Sequence, residues 1–337
     1  MKRRSLLKAS CAAALMAARG ARAQAQSPII IKFSHVVAGN TPKGKAAERF
    51  KLLAEQATKG RVRIEVYPNS TLYKDKEELE ALQLGAVQML APSLAKFGPF
   101  GVKEFEIFDL PYIFPGKEVL YRVTDGPIGR DLFRKLEPKG ITGLAYWDNG
   151  FKVMSANRPL HLPKDFRGLK MRIQSSKVLD AQMRALGASP QVLAFSEVYQ
   201  ALQTGVVDGT ENPPSNLFSQ KMYEVQKHVT VSDHGYLGYA VIVNKKFWDG
   251  LPSDIRDALQ AAMKEATQYA NAIAQQENDA ALVALQKTGK TTIYRLSDAE
   301  KLEWRKALLP VQKQAEERIG KDWIAAVNRE AAAVAGK

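Results

Sequence analysis

Holding a carboxylate or phosphate takes a fixed cation with N–H donors beside it. Residues 165–216, DFRGLKMRIQSSKVLDAQMRALGASPQVLAFSEVYQALQTGVVDGTENPPSN, offer both. Arg172 stands on a strand-like run, KMRIQ. Ser175 and Ser176 follow as helix N-caps, and the helix runs to Gly187. A second helix is predicted after Ser196, ending at Gly205. A short apolar strand, Val206–Val207, then breaks at Asp208–Gly209 into the loop ENPPSN, which carries Asn212. An arginine between strand and helix is well placed to grip an anion, because ligands gather at such junctions in open α/β sheets. The same position also suits a salt-bridged structural arginine, and Asn212 is by composition a turn residue. Lys43, Lys96 and Lys152 are candidate cations for the far end of an anion, although each also suits solvated surface. His35 after the first strand and Ser93 after the third could face a cleft, with His234 as a further candidate. Phe195 and Trp147 fit either an apolar wall or core.

No catalytic residue is assigned. Gly289-Lys290-Thr291 resembles the end of a P-loop, but Ala284 stands where the motif requires glycine. GxSxG, HExxH and a GxGxxG after the first strand are all missing. The four histidines, His35, His161, His228 and His234, form no metal-ligand pair within one helix. Neither a metal nor a cofactor is expected.

Residues 1–23 read as a cleavable export signal. Lys2, Arg3, Arg4 and Lys8 precede an alanine-rich segment, and Ala21-Arg22-Ala23 is a small-x-small cut site. The run RRSLLK resembles a twin-arginine signal, with lysine before the arginines. Lys8 spoils a lipobox at Cys11. The segment holds six basic and no acidic residues, so its removal lowers the formal charge from +14 to +8. It also removes the only cysteine, and with it any disulfide, thiol nucleophile or Cys-ligated metal. The remaining charge helps to attract anions. Its Lys and Arg are scattered among acids, which argues against nucleic acid as a partner. No later run of 18 apolar residues suggests a transmembrane helix.

The elements that must position these residues follow an α/β order. Ile29–Val37 reads as a strand, and Thr41 caps a helix with Pro42 at its first position. Arg61–Tyr67 alternates as a strand. Asp75 with Glu78 resembles a capping box for a helix to Leu84, and Val87–Ala91 is another strand. This order implies parallel strands. Thr142–Trp147 and Tyr236–Asn244 are further strands. From Asp254 to Thr288 there is neither Gly nor Pro, so a helix on the order of 50 Å is expected to span two lobes. Pro310 is expected to interrupt the C-terminal helices. The chain crosses between lobes at Trp147–Asn157. One lobe comprises residues 27–149 with about 239–278, the other 150–238 with about 279–337.

KMRIQSS and AFSEVYQALQTGVVDGTENPPSN closely resemble the substrate-binding proteins of the tripartite ATP-independent periplasmic (TRAP) transporters. The resemblance covers about residues 29–320. It is strongest to the dicarboxylate-binding, DctP-type branch, through FSHVVAGNTPKGKAAERF, EVYPNSTLYKDKEE, MLAPSLAKFG and GLAYWDNGFKVMSAN. It implies a two-lobe periplasmic-binding-protein-like fold with an interlobe cleft. It further implies that Arg172 pairs with a ligand carboxylate, that Asn212 reaches the ligand and that Phe195 lies against it. Lys152 falls where some sialic-acid-binding relatives carry a second arginine, and a lysine cannot grip bidentately. The expected function is a periplasmic receptor, acting as a monomer, that delivers a four-carbon dicarboxylate such as succinate, fumarate or malate to a membrane permease. A receptor for a 2-oxo, aromatic or sugar acid, or a periplasmic enzyme on a related fold, are the alternatives.

Overall fold

The computed structural model describes residues 27–336. The export signal expected at residues 1–23, with its paired arginines and Cys11, lies outside the described residues. Strand β1 (Ile29–Ser34) sends Ile31 and Phe33 into the core. Thr41 accepts a hydrogen bond from the Gly44 amide and opens helix α1 (Pro42–Ala57), with proline at the position where no N–H is needed. β2 (Val62–Tyr67) pairs parallel with β1. After α2 (Glu78–Gln83), β3 (Met89–Leu90) pairs parallel on its other side. Helices α3 (Lys117–Asp125) and α4 (Pro127–Arg134) lead to β4 (Ile141–Phe151), an edge of this sheet.

A single residue, Lys152, separates β4 from β5 (Val153–Ala156), which belongs to a second sheet. That sheet adds β6 (Lys170–Ile173), α5 (Lys177–Ala185), β7 (Ser189–Val192), α6 (Val198–Gln203), β8 (Gly209–Asn212), α7 (Pro214–Ser219) and β9 (His228–Val231). Ser176 caps α5 through the Leu179 amide, as its position before the helix predicted. β10 (Tyr236–Asn244) returns to the first sheet between β3 and β4, antiparallel to both. The first sheet is therefore mixed, ordered β2-β1-β3-β10-β4. Past α8 (Lys245–Asp249) comes α9 (Ser253–Lys287), an unbroken helix of 35 residues. Its buried stripe of Ile255, Leu259, Met263, Ala266 and Ala270 packs with the first core, around Phe33, Phe50 and Trp147. Each large apolar side chain buried there is worth about 1.5–3 kcal/mol. Further along, Asn278 donates to the Asn149 carbonyl on β4 and accepts from the Ser215 amide on α7. The helix thus touches elements of both sheets.

β11 (Thr292–Arg295) joins the second sheet beside β9, giving the order β11-β9-β5-β8-β6-β7. α10 (Asp298–Ile319) packs on α5, and α11 (Lys321–Ala335) on α3 and α4. The last helix therefore sits beside elements that precede β4. Its direction is set by Gly320, whose φ of 104° suits glycine and ends α10.

Three local expectations are corrected. The strand predicted at Val206–Val207 is instead Gly209–Asn212, and ENPPSN is the end of that strand running into α7. A polar run can form a central strand here because Glu211 finds buried partners far away in sequence. Gly209 lets β8 lie between its neighbours, since a Cβ there would meet the Ser155 carbonyl at 2.3 Å and Met171 Sδ at 2.8 Å. Asp75 caps nothing: α2 begins after Glu77 without a side-chain cap. Pro310 lies inside α10. The break expected there costs about 3 kcal/mol, and the buried Leu308, Val311 and Ala315 on either side of it hold the helix together.

Candidate functional site

Across the β6–β8 ladder Arg172 is the partner of Thr210. Side chains alternate along a strand, so Arg172, Thr210 and Asn212 share one face and Glu211 takes the other. Arg172 is buried. Its Nε and Nη2 donate to the Leu193 carbonyl at 3.1 and 2.8 Å, which fixes the plane of the fork. The Phe195 ring lies 5.8 Å from its Cζ. Among the described residues no carboxylate lies within salt-bridge distance of this guanidinium. Burial lowers its pKa, against the fields of Asp75, Glu211 and Glu197.

The three candidate lysines are all buried, but their surroundings differ. Lys96 is held by Asp75 Oδ1 at 2.6 Å and by Glu78 Oε1. Lys152 meets Glu211 Oε1 at 2.7 Å. The other oxygen of Glu211 meets His234 Nε2 at 2.8 Å and accepts from Gln182. His234 Nδ1 lies 2.7 Å from Ser232 Oγ. Lys152 and His234 thus share a carboxylate of the protein. Lys43 has none. Its Nζ donates to the Ala91 carbonyl at 2.9 Å and sits 3.6 Å from the centroid of the Tyr239 ring. Burial, with Lys96 nearby, pulls its pKa down to about 7 although Glu78 and Asp75 oppose the shift.

A polar chain links the two ends. Tyr239 OH and Asn212 Oδ1 both lie within reach of Asn216 Nδ2, at 3.4 and 3.2 Å. Asn212 Nδ2, Asn216 Oδ1 and Thr210 Oγ1 are buried without a partner among the described residues. Burial and the charge of Lys43 hold His35 at about 3, so its imidazole is neutral. Each unmatched buried group costs about 1–3 kcal/mol. Several such groups beside two unpaired cations fit a site whose partner is a polar anion. A cavity of about 500 Å³ lies beside Arg172. Asp75, Leu79, Lys96 and Phe100 wall one side of it, and Arg172, Gln174 and Leu193 the other.

Of the remaining candidates, Ser93 accepts from Gln174 Nε2 at 2.8 Å and so ties the segment after β3 to the segment after β6. Trp147 is core: it packs 5.9 Å from Phe33 and donates to Thr267 on α9. Sequence reasoning missed Tyr239 and Asn216, and it misread Asp75. Tyr239 is hidden in an apolar strand, and Asn216 is the second asparagine of ENPPSN, one turn beyond Asn212. Among the described residues no three His, Cys, Asp or Glu side chains converge as a metal site, and no helix is long and apolar enough to cross a membrane.

Two sheets joined by short chain crossings, with two buried cations that no carboxylate of the described residues pairs, define a two-lobed receptor for a small anion. The chain belongs to bacterial extracellular solute-binding protein family 7, DctP, whose model matches residues 33–318. The C4-dicarboxylate-binding periplasmic protein DctP of Rhodobacter capsulatus is 69% identical over 300 residues, covering 89% of this chain and 90% of the relative. A TRAP periplasmic solute-binding protein of Sulfurospirillum deleyianum, solved with bound succinate, superposes with a TM-score of 0.87 at 46% identity, over 90% of this chain and 99% of that one. One from Pseudomonas aeruginosa, solved with bound L-malate, gives 0.83 at 46% identity, over 85% and 100%. The resemblance to TRAP solute-binding proteins and the two-lobed α/β fold are therefore established.

Proposed function

We propose that this protein is a periplasmic receptor for a four-carbon dicarboxylate, with succinate, fumarate and malate as its ligand class. One observation carries the reading. Of the four buried candidate cations, Lys96 and Lys152 are matched by carboxylates, whereas Arg172 and Lys43 meet none among the described residues. A dianion neutralises both at once. One such pair at 4 Å gains roughly 4 kcal/mol at an effective dielectric of about 20, before desolvation. Two pairs leave enough after losses for micromolar affinity, about −8 kcal/mol. Arg172 takes one carboxylate with its fixed fork, and Lys43 takes the other as a point charge. Asn212 donates between them through its unmatched Nδ2. The names and bound ligands of the relatives support this assignment.

The work of the protein is binding and lobe closure; no bond is made or broken. The closed form, a monomer, then docks on the membrane subunits of a TRAP permease. The lobes are the two sheets with their helices, α11 being counted with the first.

Thermal melting of the ligand-free mature protein, residues 24–337, tests the reading. Succinate, fumarate and malate should raise the midpoint in a concentration-dependent way. Pyruvate, an aromatic acid, a sugar acid and neutral controls should not. A selective shift with a monoacid or a larger acid would discard the dicarboxylate assignment.

The lysine end adds a pH signature. Lys43 is half-protonated at about pH 7 without ligand, and a bound carboxylate restores its proton. The complex then holds more protons than the free protein above that pH, so affinity falls as pH rises. Titration calorimetry from pH 6 to 9 should show proton uptake with succinate. Lys43→Met should remove that uptake and bind succinate no better than butyrate.

A further inference from the structure

Asp75 does something the ligand-binding reading leaves unused. It lies between β2 and β3 of the first sheet, yet it reaches the second. Its Oδ1 meets Lys96 at 2.6 Å. Its Oδ2 accepts from the backbone amide of Phe195 at 2.7 Å. Phe195, on the segment between β7 and β8, is the residue whose ring covers Arg172. One partly buried carboxylate therefore joins a lysine of the first lobe to the cover of the arginine in the second. The Ser93–Gln174 hydrogen bond also crosses between the two lobes, from the segment after β3 to the segment after β6. Lys74 and Glu197, at 3.9 Å, repeat the crossing at the exposed rim.

From this geometry we infer that Asp75 is a positioning residue: a latch that holds the cleft shut by fastening Phe195 over Arg172. The inference rests on the receptor reading. When the lobes separate, Lys96 stays with Asp75 and Glu78, all three being on the first lobe. Of the bonds that Asp75 makes, the one to the Phe195 amide is broken, so the latch belongs to the closed form alone. Desolvation by itself would raise the Asp75 pKa. Lys96, Arg172 and the Phe195 amide outweigh it and hold the group at about 2, so the latch stays charged at neutral pH. The buried Lys96, which looked like a cation for the ligand, instead serves the latch.

The sign of one measurement separates this from simple electrostatics. Asp75 is a negative charge near Arg172, and a dianion should be repelled by it. Pure charge predicts that removing Asp75 tightens binding. A latch predicts that removal loosens it, chiefly through faster release. Stopped-flow with succinate should show koff rising about tenfold in Asp75→Ala and less in Asp75→Asn, with kon within about twofold, as the loss of one charge-assisted hydrogen bond implies.

The mature chain has no cysteine, so spin labels at Gln83→Cys and Val192→Cys report the distance across the cavity mouth. With saturating succinate the parent should give one short distance, and Asp75→Asn a second, longer one. Unchanged release with an unchanged distance, or tighter binding, would overturn the latch. If the parent fails to bind succinate, the dicarboxylate reading falls. The latch is then judged on the ligand-free distances, which Asp75→Asn must lengthen and otherwise overturns it. Asp75→Asn keeps the shape of the side chain, and its ligand-free melt checks that it folds.

Discussion

Arg172→Ala should weaken succinate binding by about 100-fold or more, because truncating one partner of a buried, hydrogen-bonded charge pair costs roughly 2–5 kcal/mol. The protein should stay folded. Arg172 has no ion-pair partner among the described residues, so its removal strands no opposite charge there. The losses are two hydrogen bonds to the Leu193 carbonyl and contact with Phe195. An unmatched carbonyl costs about 1–3 kcal/mol, and relief of a buried, unpaired cation offsets part of it. Arg172→Lys should remain impaired, since an ammonium keeps the charge but not the planar fork. Titration calorimetry for affinity and a thermal melt for folding check both. Unchanged affinity in a folded Arg172→Ala protein would remove Arg172 as the anchor.

Glu211→Ala should act in the opposite way, striking stability first. Glu211 is shared by Lys152 and His234, all three buried. Lys152 separates β4 from β5, and His234 lies in the segment joining β9 to β10, so the carboxylate fastens both crossings between the sheets. The Lys152 amide bonds to the Gly235 carbonyl at 2.8 Å and brings these crossings side by side. Removing one partner of a buried pair typically costs about 3–5 kcal/mol, because the other charge is left uncompensated. The melting midpoint should fall on the order of 10 °C.

The pH dependence has a definite sign. Burial alone would raise the Glu211 pKa, but Lys152 and His234 hold it down at about 2, below its ordinary 4.5. A depressed carboxylate stabilises the fold above its unfolded pKa and loses that contribution as pH falls from 4.5 towards 2. Urea unfolding at pH 7 should therefore separate parent and Glu211→Ala widely, and the gap should close by about pH 2. A gap of constant size would mean that the ion pair is not its source.

What the sequence by itself determined was local. Caps and periodicity are written within a few residues. Thr41 with Pro42, Ser176 before α5, the strand Lys170–Ile173, the buried strand Tyr236–Asn244 and the unbroken run of α9 all lie where pattern placed them. Arg172 was marked by its place at the end of a strand and by family resemblance, and Asn212 by resemblance.

Only the tertiary structure decided which charges are spent. Lys43, Lys96 and Lys152 are indistinguishable as lysines. Their roles follow from whether Asp75, Glu78 or Glu211 lies within 4 Å, and these partners come from elsewhere in the chain. Glu211 also makes the polar GTEN run viable as a buried strand, since Lys152 and His234 offset a desolvation cost that a window of ten residues would count in full. Asp75 shows the same limit. Its spacing to Glu78 matches a helix cap, yet its carboxylate finds Lys96 and the Phe195 amide first. Coulombic and hydrogen-bond energies depend on distance in space, and a sequence records only distance along the chain.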